Sequence, residues 1–113
     1  MNIFENLPHI EQNSEYFHTF FQNRNIKIER ILSNDLHNGE WYDQKEDEWV
    51  LLLEGEAQLE FAESARELKK GDYLFIPAHT RHRVSRTSPD ALWLAVHFSD
   101  ADATHALALS NSE

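Results

Sequence analysis

The feature that most constrains the fold is a series of short apolar segments between residues 49 and 98, separated by turn-forming residues. Residues 49–53 form a continuous apolar run that is too short for a helix, and residues 57–61 return with apolar side chains at alternate positions. Similar segments follow at 66–68, 73–77, 81–87 and 92–98. Short strands at near-regular spacing, with almost no helix-period segments, predict an all-β sandwich or barrel.

The flanking regions are less regular. Residues 26–32 alternate apolar and polar side chains, as a half-buried strand does. Residues 16–21 are rich in β-formers, although a short helix would also fit, and the first fifteen residues are polar and irregular. The tail from residue 100 to 113 carries an alanine-leucine patch and is predicted as a short helical turn or disorder. With no repeat or linker, residues 1–113 are predicted to form one domain with a core at about 26–99.

Composition narrows the classes of partner. The 113 residues, 41% of them hydrophobic, suffice for one core, and the absence of cysteine excludes disulfides and thiolate metal sites. A formal net charge of −10 argues against nucleic acid or an anionic membrane as partner, because both require a positive protein surface. No apolar stretch approaches the roughly 18 residues of a membrane span. We therefore expect a soluble cytoplasmic protein, in which the basic run 81–86 is a strand with its arginines on the solvent face.

Two segments carry a family resemblance. Residues 39–55, GEWYDQKEDEWVLLLEG, keep the glutamate-to-glycine spacing of the first cupin motif through Glu48 and Gly55. Residues 71–82, GDYLFIPAHTRH, keep the glycine, proline and histidine of the second motif through Gly71, Pro77 and His82. The chain thus resembles a small single-domain cupin. The resemblance implies a double-stranded β-helix (jelly-roll) barrel, here with an irregular N-terminal segment and a short C-terminal tail.

The departures from the motifs concern metal binding. In cupins, two histidines of the first motif, its glutamate and the histidine of the second motif hold a divalent metal inside the barrel. Here the two histidine positions hold Tyr42 and Gln44, or Trp41 and Asp43 if the spacing is one residue longer. Since Tyr42, Gln44 and Glu48 are all even-numbered, one unbulged strand would place them on the same face. This favours Gln44 over Asp43 and predicts a pocket of Gln44, Glu48 and His82, with Tyr42 close by.

Two further histidines could add donors to this pocket. His97 lies on the last predicted strand, and residue parity leaves open which face of that strand looks into the barrel. His79 lies three residues before His82, at a glycine position of the motif, and fits a turn or the pocket rim. We therefore predict Gln44, Glu48, His82 and His97 as metal ligands and Tyr42 and His79 as ligand-binding residues. Imidazole and carboxylate donors suit divalent iron, manganese, nickel or zinc.

Several functions remain open at this point. The first hypothesis is a cupin that binds a divalent metal and a small molecule; the resemblance implies reactions such as dioxygenation, isomerisation or decarboxylation, and no residue selects among them. The second is a metal-free ligand-binding module, suggested by the missing histidine pair. The third is a sensor or assembly part that forms a homodimer through the apolar positions of the strand at 49–53 or 92–98.

Overall fold

The computed structural model describes residues 1–99, which form eight β-strands and no helix. The strands are β1 (Ser14–Gln22), β2 (Ile26–Asn34), β3 (Asp47–Glu54), β4 (Glu56–Phe61), β5 (Ala65–Lys69), β6 (Tyr73–Ile76), β7 (His82–Thr87) and β8 (Ala91–Phe98). The all-β prediction is confirmed, and residues 16–21 belong to a strand. Nothing in residues 1–99 is long and helical enough to cross a membrane. The predicted tail at 100–113 lies outside the described residues.

The strands form two antiparallel sheets. The larger sheet has the order β1-β2-β8-β3-β6, and the smaller has the order β5-β4-β7. Buried apolar side chains of both sheets, such as Leu52 and Trp93 from the larger and Leu59 and Leu68 from the smaller, make one core cluster. The predicted jelly-roll is therefore confirmed, with the core between the two sheets.

Strand register assigns side chains to the two faces of the larger sheet. Glu48 on β3 pairs with His97 on β8, which pairs in turn with Lys27 on β2. Residues paired across strands share a face, so this row faces the barrel interior. The next row, which contains Trp49 and Phe75, faces outward. The strand pairing therefore shows which face of β8 looks into the barrel, a question that residue parity alone left open.

The N-terminal segment covers one end of the outward face. The guanidinium of Arg30, a residue that is 4% exposed, donates hydrogen bonds to the backbone oxygens of Ile3 and Glu5, each at 2.7 Å. Beneath this segment Leu32 and Leu92 are almost fully buried. The irregular N-terminus is consequently part of the folded domain.

The chain between β2 and β3 is a loop, whereas the sequence analysis treated Tyr42, Gln44 and Glu48 as one unbulged strand. Residues 38–46 form no strand, and Tyr42 makes only an isolated bridge to His82. The loop crosses β7 closely at Gly39, where an added Cβ would lie 2.5 Å from the Val84 carbonyl oxygen. The inference from an unbulged strand was therefore wrong, although the loop still carries Tyr42 and Gln44 to the barrel interior.

Candidate functional site

A cavity of about 550 Å³ lies between the two sheets. One end, which we call the polar end, is lined by the β1–β2 turn, the start of β2 and the loop before β3, including Arg24, Lys27 and Glu46. The opposite, apolar end is lined by aliphatic side chains and one indole: Ile31, Val50, Leu59, Val84 and Trp93. The cavity can therefore hold a small molecule with its polar groups toward one end.

Gln44, Glu48 and His82 meet in the wall of this cavity. The Gln44 amide Nε2 donates to Glu48 Oε1 at 2.8 Å and lies 3.3 Å from His82 Nε2. His82 Nε2 is 3.6 Å from Glu48 Oε1, and both side chains are more than nine-tenths buried. The three residues that the motif spacing selected thus form one contiguous polar cluster, which we call the Gln44 cluster.

Backbone hydrogen bonds hold the members of the cluster in place. His82 begins β7 and exchanges two backbone hydrogen bonds with Tyr42, of 2.8 and 3.0 Å. Its Nδ1 lies 2.8 Å from the Thr80 carbonyl oxygen. A carbonyl can only accept, so Nδ1 carries a proton and Nε2 is the atom presented to Gln44 and Glu48. The Gln44 carbonyl in turn accepts from the His79 backbone N–H at 2.7 Å, which fixes the loop.

His97 faces the cavity but has another main partner. Its Nε2 lies 3.0 Å from Glu29 Oε1 and 3.9 Å from Glu48 Oε2. Glu29 is 3% exposed and also lines the cavity. Sequence reasoning missed Glu29, because one glutamate in an alternating strand is typical of a solvent-facing position. Only the pairing of β2 with β8 brings it beside His97.

These contacts shift three pKa values. Burial raises the pKa of Glu48, but its hydrogen bonds to His82 and Gln44 and the nearby His97 outweigh burial and lower it overall. Burial lowers the pKa of His82, yet the hydrogen bond to Glu48 and that to the Thr80 carbonyl raise it overall. For His97 the hydrogen bond to Glu29 likewise overcomes burial and raises the pKa. Compared with free side chains, the site therefore favours the protonated form of both imidazoles and the ionised form of Glu48.

The two predicted ligand-binding residues have different positions. Tyr42 lines the cavity, with its ring centroid 6.1 Å from that of His82. Burial and four surrounding glutamates raise the pKa of its hydroxyl. His79 is exposed, lies outside the cavity lining and approaches Asp43 Oδ1 at 3.3 Å. The structure thus places Gln44 at the cavity and its alternative, Asp43, on the surface.

The spacing within the Gln44 cluster can be compared with the spacing of ligands around a metal ion. Ligands bonded at about 2.1 Å around one ion lie roughly 3.0 to 3.4 Å apart, from octahedral and tetrahedral geometry. The two ligand atoms already in place, His82 Nε2 and Glu48 Oε1, are 3.6 Å apart, close to this range. The separations of 2.8 and 3.3 Å are measured from the Gln44 amide nitrogen, which cannot ligate a cation. Residues 1–99 contain no group of three histidines or acids arranged for a metal. The third donor would therefore be the Gln44 amide oxygen.

The arginines of the basic run contact acids and an aromatic ring. Arg83 pairs with Glu60 at 2.6 Å and Arg86 with Glu67 at 2.8 Å. The guanidiniums of Arg81 and Arg83 stack on the Trp41 ring, 4.4 and 4.8 Å from its centroid. Trp41 is consequently a surface platform outside the cavity lining, and the acids neutralise part of the run.

Comparison with known proteins identifies relatives of the fold. The family model described as Cupin domain matches residues 32–97. A Ralstonia eutropha JMP134 structure, provisionally named a mannose-6-phosphate isomerase, is 38% identical; the alignment covers 88% of this chain and 97% of that one, with a TM-score of 0.79. No curated protein gives a significant match.

Two further structures are similar in fold alone. A cupin superfamily protein from Desulfitobacterium hafniense DCB-2 is 23% identical, with a TM-score of 0.71 over 82% of this chain and 84% of that one. KdgF from Halomonas sp. is 17% identical, with a TM-score of 0.72 over 92% of this chain and 96% of that one. The similarity thus extends well beyond the two motif segments.

Proposed function

The chain belongs to the cupin domain family, and we propose that its barrel binds a divalent metal ion at Gln44, Glu48 and His82 and a small polar molecule in the adjoining cavity. The observation that carries this proposal is the convergence of the three side chains. They are separated by 2.8 to 3.6 Å in the wall of a cavity large enough for a ligand. Convergent polar groups in such a cavity are typical of ligand sites.

The donor set determines which metals would fit. It offers one imidazole nitrogen, one carboxylate and one amide oxygen, so it is richer in oxygen than a two-histidine site. Among iron, manganese, nickel and zinc, the loss of imidazole donors weakens binding most for the later metals. A bound ion would supply Lewis acidity to an oxygen atom of the ligand.

The Gln44 amide must turn over to admit a metal. In the structure its NH₂ group faces Glu48 and His82, and an NH₂ group cannot ligate a cation. Rotation of the amide would exchange this donor for the oxygen. The metal thus competes with a hydrogen bond of 2.8 Å to Glu48, and with the proton on His82, whose pKa is raised. We therefore expect a site that is weaker than a three-histidine centre and weakens further at low pH.

His97 is the residue best placed to move a proton in any reaction here. It lines the cavity between two carboxylates, 3.0 Å from Glu29 and 3.9 Å from Glu48, outside the proposed donor set. The name of the Ralstonia protein suggests an isomerase for that protein. Isomerisation requires an acid-base group, and in this chain His97 would supply it.

A metal-free binding function is the second candidate. It is favoured by the hydrogen bonds within the Gln44 cluster, which satisfy the buried polar groups without an ion. A thermal-shift screen with small acids and sugars, run with and without a chelator, distinguishes the two. Stabilisation that survives the chelator unchanged would favour the metal-free function.

Metal content tests the primary proposal. The protein is purified without added metal, then dialysed against iron, manganese, nickel or zinc in turn, and analysed for bound metal. We expect close to one equivalent of at least one metal in the wild type and in the His79→Ala control, and a loss of at least about tenfold in affinity in His82→Ala. Retention of less than about a tenth of an equivalent of every metal by the wild type would refute metal binding.

We also propose that the outward face of the larger sheet pairs with a second copy of the chain. The N-terminal segment covers only one end of this face. At the other end Tyr73 and Phe75 are 67% and 49% exposed, next to Trp49 and Phe98. A contiguous aromatic patch of this kind is typical of an interface in a soluble protein. We call it the outer aromatic patch.

A further inference from the structure

Glu29 has an acceptor that no described residue satisfies. Its Oε1 accepts from His97, but its Oε2 has no hydrogen bond, although the Lys27 ammonium lies 3.4 Å away. The side chain is 4% exposed. An ionised carboxylate has room for about four hydrogen bonds, and leaving a buried one incomplete costs free energy. Such a group in a cavity wall is suited to receive a donor from a ligand.

Among the described residues, Trp93 has a hydrogen-bond donor without an acceptor, which complements the acceptor of Glu29. Its indole Nε1 is a buried donor for which residues 1–99 offer no acceptor, and the residue is 3% exposed in the wall of the same cavity. Trp93 lies directly across from Ile31 on β2, and Ile31 lies two residues from Glu29 on the same face. Such diagonal neighbours are about 7 Å apart in a sheet, within the span of one small molecule.

We propose that Glu29, His97 and Trp93 form a second subsite in the cavity, which binds the hydroxyl groups of a neutral polyhydroxylated ligand. This rests on the proposed ligand-binding function but is independent of the metal donors Gln44, Glu48 and His82. A hydroxyl donates to Glu29 Oε2, and a hydroxyl oxygen accepts from Trp93 Nε1. Both polar atoms are buried in this structure, so binding requires a turn of the Glu29 side chain, which exchanges the Lys27 ion pair at 3.4 Å for the ligand hydroxyl, and a small turn of the Trp93 ring.

Charge and hydrogen-bonding capacity favour hydroxyl groups over ions at this subsite. A phosphate or carboxylate of the ligand would meet Glu29 and Glu48, because the Lys27 ammonium is already paired with Glu29 at 3.4 Å. The other cation of the lining, Arg24, lies at the polar end of the cavity. An ammonium group could donate to Glu29, yet it has no lone pair for the Trp93 indole. Only a group that both donates and accepts satisfies the two residues, and a hydroxyl does both.

The test follows the indole N–H signal of Trp93 by ¹H–¹⁵N NMR of the full chain, assigned with Trp93→Phe. The probes are D-mannose, D-mannitol and myo-inositol, with methylammonium and inorganic phosphate as the charged comparisons. We expect a saturable shift of the Trp93 signal with at least one neutral polyol at millimolar concentrations, and none with phosphate. Glu29→Gln should weaken polyol binding about tenfold, because a charge-assisted hydrogen bond is lost. Glu63→Gln, at an exposed residue outside the cavity lining, should leave it unchanged.

Three results would overturn the subsite. They are a Trp93 signal that no polyol moves, a response to methylammonium alone, and equal affinity in Glu29→Gln and wild type. Zinc added to the same samples shows whether the polyol subsite or the metal site is the proposal that fails. A zinc-dependent shift of the His82 signals without any polyol response removes only the subsite, whereas polyol binding without a zinc response removes only the metal site.

Discussion

The two faces of the larger sheet reverse the usual distribution of polarity. On the inward face, the buried row contains Glu48 and His97, with Glu29 on the adjoining strand. On the outward face, Trp49 and Phe75 are paired across two strands, and Phe75 is half exposed. The protein therefore buries charge and exposes aromatic surface within one sheet.

Each face of the sheet carries a different cost in free energy. Burying carboxylates and imidazoles costs free energy that their mutual hydrogen bonds only partly recover, as the unsatisfied Glu29 oxygen shows. Exposed aromatic rings forgo the free energy of burial. The inward face is consistent with a ligand or ion, and the outward face with another protein surface. Changing one face while leaving the other intact separates these two roles.

The largest expected effect concerns the outward face. Phe75→Asp places a charge in the centre of the outer aromatic patch and should raise the dimer dissociation constant about a hundredfold, because the charge would be desolvated on association. Light scattering at micromolar protein concentration measures the change. Metal binding on the opposite face should persist.

Ser64→Asp is the matched control for Phe75→Asp, since it adds the same charge at an exposed turn of the smaller sheet. It should leave dimerisation intact. A wild-type protein that is monomeric throughout the micromolar range would contradict the proposed pairing of outward faces.

A smaller effect is expected from strengthening the inward face. Gln44→His replaces the weakest of the three donors by an imidazole and should raise nickel or zinc affinity about tenfold or more. Competition with a chromophoric chelator measures the affinity. His79→Gln, which changes an exposed histidine, serves as the control. Unchanged affinity in Gln44→His would show that residue 44 does not contact the metal.

The smallest expected effect is the pH dependence of the metal-free protein. The folded-state pKa values of His82 and His97 lie above the ordinary 6.5, so their stabilising contribution is complete below pH 6.5 and is lost as pH rises through the raised values. That of Glu48 lies below 4.5, so its contribution is present above pH 4.5 and is lost as pH falls through the lowered value. The free energy of unfolding should therefore fall by about 1 kcal/mol or more from pH 6 to pH 8.

Urea unfolding of chelator-treated protein at these two pH values measures this effect. The double variant His82→Gln/His97→Gln should lose most of the decrease, whereas His79→Gln should retain it. A wild-type stability that is flat or rises over this interval would mean that the two imidazoles are not held by Glu48 and Glu29.

The sequence predicts most of the fold and only part of the site. Alternation and turn residues locate strands β2 to β8, because apolar periodicity reflects burial directly. Motif spacing finds Glu48 and His82. Glu29 was missed because both faces of β2 carry isoleucines, with Ile28 on one face and Ile31 on the other. The apolar pattern of this strand therefore does not show which face is buried in the barrel. The position of Glu29 beside His97 depends on the pairing of β2 with β8, which lies over 60 residues further along the chain.

Gln44 lies at the cavity wall for a reason that differs from the one used in the sequence analysis. Gln44 reaches the cavity through a loop tied to β7, where the Tyr42 and His82 backbones exchange hydrogen bonds. Residue parity along a strand cannot describe this path. The sequence gives no sign of the burial of Arg30, whose guanidinium lies under the N-terminal segment and donates hydrogen bonds to the backbone oxygens of Ile3 and Glu5.

The most direct test of the inward-face account is the response of individual histidine side chains to zinc. Long-range ¹H–¹⁵N NMR resolves the ring nitrogens of each imidazole, and variants at single histidines assign them. We predict that zinc shifts His82 Nε2 to the position of a metal-bound nitrogen while Nδ1 keeps its proton toward Thr80, and that exposed His79 does not respond. A response of His79 in place of His82, or no response of any histidine at saturating zinc, would contradict the metal site.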